Sequence, residues 1–97
     1  MIDAKEAVHI AKNYFADIAA VNPLFILLEE VRSDVIRQEN HQDEPDFIPV
    51  WRITVSRPSP RSKTAFPPDV DRDFRVVTID KSDGKVLSLT LREPMHA

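Results

Sequence analysis

A chain of 97 residues has room for one domain with its own core. Its hydrophobic share of 42% and charged share of 30% are ordinary for a globular protein, and a net charge of −3 supplies no basic stripe for nucleic acid. The lack of cysteine excludes disulfides, thiolate chemistry and cysteine-ligated zinc.

The N-terminal stretch from Asp3 to about Ala20 has the spacing of an amphipathic helix. Asp3 with Glu6 three residues later fits a capping box. Ala4, Ala7, Val8, Ala11, Tyr14, Phe15 and Ile18 recur at intervals of three and four, which predicts a buried stripe. The alanines allow close approach to a sheet, while Phe15 and Ile18 are expected to fill space. Asn22-Pro23 marks the end, because the residue before proline is driven out of the α region. The Met-Ile-Asp start leads into this charged helix rather than an apolar signal-peptide core, so a cytoplasmic location is the expectation.

Leu24 to Arg37, LFILLEEVRSDVIR, is compatible with continued helix on propensity alone. A strand from about Leu27 to Ile36 is preferred, since the later strands need a partner to cover the helix. Its broken alternation points to a bulge near Ser33-Asp34. The run Leu24 to Leu28 is the longest apolar one, far short of the about 20 residues of a membrane span, so no membrane partner is expected. Gln38 to Pro49 is a polar link, expected to be a loop. Val50 to Arg57 alternates cleanly: Trp51, Ile53 and Val55 on one side, Arg52, Thr54 and Ser56 on the other. Pro58 and Pro60 stop that strand. The segment 58–72 holds four prolines after Arg57 and cannot join a ladder, which predicts a second long loop.

Phe74 to Arg92, FRVVTIDKSDGKVLSLTLR, is a hairpin with Asp83-Gly84 in its turn. Gly84 is the only glycine in the chain. Pairing Asp80 with Lys85 would place Phe74 opposite Leu91 and Val76 opposite Leu89. With Leu87 these would form the core face, leaving Val77, Ile79 and Val86 on the open face. A slip of one residue, as from a bulge at Gly84, would exchange the two faces. The predicted fold is α+β: one helix packed on an antiparallel meander of three to four strands, in a single domain 1–97.

The helix DAKEAVHIAKNYF, the strand centred on WRITV and the closing FRVVTIDKSDGKVLSL resemble PepSY-like domains. Ile79-Asp80, Gly84 and Val86 occupy that family's hairpin motif, and Trp51 its preceding aromatic position. The resemblance implies a helix on an antiparallel sheet in a cystatin-like arrangement. It also implies a binding or inhibitory module, often attached to proteases or membrane proteins, and brings no catalytic residues. The segments 38–49 and 58–72 depart from the pattern.

Sites for chemistry are few. One glycine excludes a P-loop, a Rossmann fingerprint and a Gly-x-Ser-x-Gly elbow. His41, Asp43, Glu44 and Asp46 lack the fixed ligand order of a calcium loop and are expected to form a solvated acidic stretch. Asp80, Ser82 and Asp83 are explained by turn hydrogen bonding. His9 lies on the polar side of the helix, and His96 near the C-terminus. No catalytic, metal or cofactor-binding residue is assigned. The favoured function is a small protein-binding or self-association module with Val77, Ile79, Val86 and Phe66 as candidate interface. Phe66 would serve either as a lid on the sheet or as an exposed anchor. The alternatives are a small-ligand or enzymatic pocket using Arg52, Arg75 or Trp51, and a PepSY-like inhibitory domain.

Overall fold

A computed structural model describes residues 1–38, 46–58 and 72–91 of the protein. The order is a helix α1 (Ala4–Ala19), a 3₁₀ turn (Pro23–Phe25), and strands β1 (Leu27–Gln38), β2 (Asp46–Pro58), β3 (Arg72–Asp80) and β4 (Val86–Leu91). The four strands form one antiparallel sheet in the order β1-β2-β3-β4. The α+β expectation holds, with four strands.

Asp3 caps α1: its carboxylate accepts the N–H of Glu6 at 2.8 Å. The helix ends before Asn22-Pro23, with Ala20 left-handed at φ 56° and its N–H turned back to Ala16 and Asp17. Val21 N–H also returns to the Ala16 carbonyl. Ala7, Ala11, Phe15 and Ala16 are buried, and they meet Ile26, Ile53, Val55, Val77 and Ile79 in the core. Ile18 was expected inside but is 56% exposed, and Tyr14 is also exposed.

β1 is a strand rather than more helix. After the 3₁₀ turn, Ile26 buries into the core and the chain runs extended. Its bulge lies between Leu28 and Glu30, not near Ser33-Asp34. Part of the expected polar link is strand, since Asp46 to Pro49 pair with Val35 to Gln38. The rest of that link, and residues 59–71 of the proline-rich segment, lie outside the described residues.

The hairpin register corrects the sequence-based expectation. Asp80 N–H does donate to the Lys85 carbonyl, at 2.9 Å. A bulge then takes up one extra β4 residue: Ile79 faces Val86, but Thr78 faces Ser88. Val77 therefore sits opposite Leu89, and Arg75 opposite Leu91. Val77 and Ile79 are fully buried beneath α1, and Val86 and Leu89 pack partly buried against the same core. The helix-covered face of β2 is the expected one, with Ile53 and Val55 buried and Trp51 packed at their margin.

Candidate interaction surface

Two of the four residues expected to carry an interface are buried in the core. Val77 and Ile79 are core, Val86 is partly buried, and Phe66 lies outside the described residues. The face away from the helix is also less open than expected, because Val50, Thr54, Ser56 and Thr78 are buried on it. Ser56 is tied down there: its hydroxyl donates to Glu29 Oε2 at 3.0 Å and accepts from Arg72 Nε at 2.9 Å.

The residues proposed for a ligand pocket are held apart in structural roles. Trp51 Nε1–H donates to the Ile2 carbonyl at 3.2 Å, and the Lys81 ammonium lies 4.2 Å from its ring centroid. Arg75 Nε donates to Asp73 at 2.8 Å, and the same carboxylate faces Arg57 at 3.5 Å. Arg57 in turn lies 6.0 Å from the Phe15 ring centroid. Arg52 pairs with Asp34 at 2.6 Å. A shallow concavity of about 900 Å³ runs along α1, lined by residues that include His9, Ile10, Asn13, Tyr14 and Val21, and by none of these three. His9 is occupied locally by Asn13, at 3.1 Å. Among the described residues no group of three or more His, Asp or Glu side chains is placed to hold a metal. His41, Asp43, Glu44 and His96 lie outside them.

The acidic turn is a structural device. Asp80 Oδ1 accepts both the N–H and the hydroxyl of Ser82, and Asp83 Oδ1 accepts the N–H of Lys85. The Ser82 hydroxyl first, and its N–H second, hold the Asp80 carboxyl below the usual aspartate range. Asp34 is likewise held low, by the Val35 N–H first and by Arg52 second. Both groups thus add stability that is fully present above their unfolded-state values of about 4. It is lost as pH falls through the lower folded-state values. The denaturant midpoint should decline in that acid window, and Asp80→Asn should make the decline shallower. An acid limb identical in the variant would contradict this.

What stays exposed is one side of the sheet. β1 is an edge strand of 12 residues, and among the described residues nothing pairs with its outer edge. β3 stops at the pair Val50–Asp80, whereas β1 and β2 run on through four more pairs, from Val35–Pro49 to Gln38–Asp46. On the helix-side face this overhang and its root expose Val31, Val35 and Phe47, the last by 65%. Leu28 is exposed further down the strand. Sequence inspection missed this surface because only the strand order reveals which strand is the edge.

Comparison with protein-family models, curated proteins and solved structures finds no match for the chain. No described helix is long and apolar enough to cross a membrane.

Proposed function

We propose that the chain is a non-catalytic self-association module that joins a second copy strand to strand through the outer edge of β1. The observation that carries this is the two-stranded overhang. A two-stranded ribbon is marginal in water, and a third strand is what ordinarily stabilises it. Here β3 ends before the overhang begins, so among the described residues the overhang has no third strand, and the outer edge of β1 is the long, continuous edge along which one can be added. Edge strands are usually blunted by shortness, bulges, proline or charged side chains, and of these β1 from Val31 onward has only charges, of both signs, at Arg32, Asp34 and Arg37. β4, the other edge, is short and bulged. β1 from Val31 to Gln38 has neither bulge nor proline. The reading agrees in kind with the PepSY-like resemblance, which implies a binding module without catalytic residues.

Val35→Pro tests it. Proline is tolerated on an edge strand when its lost N–H faces outward, and the Val35 N–H bonds only the neighbouring Asp34 carboxylate, at 2.8 Å. The wild-type chain should sediment as a concentration-dependent oligomer. The variant should stay monomeric, with an unchanged circular dichroism spectrum. A monomeric wild type, or a variant that associates equally well, would contradict the proposal.

A further inference from the structure

The geometry points to one particular partner arrangement, which rests on the strand-edge reading above: a closed two-fold dimer in which β1 pairs antiparallel with β1 of a second copy, centred on Ser33. Three independent features select it.

The first is the direction of the backbone groups. In an antiparallel strand the N–H and C=O of one residue point to the same edge, and successive residues alternate. Lys81 N–H donates to the Pro49 carbonyl at 3.0 Å, so Pro49 faces β3. Its neighbours Ile48 and Val50 must then face β1, and their partners Ile36 and Asp34 face back toward them. Val35, opposite Pro49, consequently points its N–H and C=O outward, and the Val35 N–H is indeed taken by the Asp34 side chain rather than by β2. With no register shift after Glu30, the backbone groups of Val31, Ser33, Val35 and Arg37 all point outward, and on pairing the Val35 N–H exchanges the Asp34 carboxylate for a carbonyl of the second copy. A two-fold axis at Ser33 pairs Ser33 with Ser33 and Val31 with Val35. Every one of those pairs is outward-facing on both strands.

The second is charge. The same axis sets Arg32 directly opposite Asp34 of the second copy, twice, at the closely spaced positions between hydrogen-bonded pairs. Shifting the axis to Arg32 would face Arg32 with Arg32 and Glu30 with Asp34. Shifting it to Asp34 would face Asp34 with Asp34. Like charges directly opposite one another are destabilising, so of these three neighbouring two-fold registers only the one at Ser33 matches opposite charges. Arg32 is also poorly served within one chain. Its cross-strand neighbour is Arg52, its ion pair with Glu30 is long at 3.9 Å, and its side chain is 68% exposed.

The third is apolar cover. Val31 and Ser33 lie on the helix-side face, opposite Ile53 and Trp51, and Val35 follows in the alternation. The dimer lays Val31 of each copy against Val35 of the other, where both are exposed in the single chain. In this register Val35 of each overhang is backed by Val31 of the second copy, and Ile36 to Gln38 run alongside the bulged stretch from Leu28 to Glu30. An isologous contact of this kind closes on itself and produces a dimer rather than a fibre.

Charge exchange tests the register. Arg32→Asp and Asp34→Arg each place like charges at both crossings and should weaken dimerisation by about tenfold or more. Mixing the two variants restores opposite charges at both crossings, so the mixture should sediment as a heterodimer. The double variant R32D/D34R should recover a homodimer. Both side chains are substantially exposed, and circular dichroism verifies the fold of each variant. Single variants that dimerise like the wild type, or a mixture and double variant that both stay monomeric, would overturn the Ser33 register. If Val35→Pro still abolished association in those cases, the strand-edge reading would stand while this pairing fell. A wild-type chain that is monomeric at every concentration would overturn both.

Discussion

Ile79→Lys should fail to fold into a cooperative domain. Ile79 is fully buried between the sheet and α1, beside Val77 and across from Trp51. The substitution removes about 1.5–3 kcal/mol of side-chain burial. It also places an ammonium where desolvation costs several kcal/mol more. A 97-residue domain has a total of only about 5–15 kcal/mol to lose. The expected result is no cooperative thermal transition and a flat near-ultraviolet circular dichroism spectrum. Had β3 taken the register expected from its sequence, Ile79 would be on the open face and the same substitution would be mild. A cooperative melt within a few degrees of wild type would therefore show that the odd-numbered face of β3 is not the one beneath the helix.

Gly84→Val should cost about 2–3 kcal/mol, from backbone strain and contact together. Gly84 has φ +78°, a conformation a β-branched residue adopts only with strain. A Cβ there would lie 3.2 Å from Ile10 Cδ1 and 3.5 Å from Ile2 Cγ2. The hairpin turn is thus packed against the start of the helix. The Ile2 N–H fixes the same junction by donating to the Lys81 carbonyl at 2.8 Å. Gly84→Ala should show a smaller loss of about 1 kcal/mol, since alanine has the same positive-φ penalty without the branched side chain. Equal denaturant midpoints for Gly84→Val and wild type would contradict the left-handed turn.

Much of the fold was legible in the sequence, for identifiable reasons. The helix declared itself through Asp3 and the 3.6-residue spacing of Ala7, Ala11 and Phe15. β2 did so through the strict alternation around Trp51, Ile53 and Val55. β3 was legible as a strand but not as to its face, because Phe74 and Val76 compete with Val77 and Ile79 for the core. The pairing with β2, which sets Val77 opposite Ile53 and Ile79 opposite Trp51, decides between them, and the bulge, which an Asp-Gly turn does not encode, then aligns Leu89 with Val77. β1 hid its pattern for a different reason. It is an edge strand whose last four residues run beyond β3, so Val31 and Val35 are on the helix-side face yet exposed, and the alternation carries no burial signal. The charges flanking Ser33 were visible in the sequence. They acquire meaning only once β1 is known to be an edge and the outward direction of its odd-numbered residues is fixed by Pro49 and Lys81.

The central claim is that the outer edge of β1 pairs with another β1, and residue-resolved amide hydrogen exchange as a function of protein concentration tests it most directly. The amides of Arg32, Asp34 and Ile36 face β2 and should exchange at rates that concentration does not change. Those of Val31 and Ser33 face outward. They should exchange freely in dilute solution and become protected as the protein is concentrated. Outward amides that stay unprotected at the highest concentration would contradict the account.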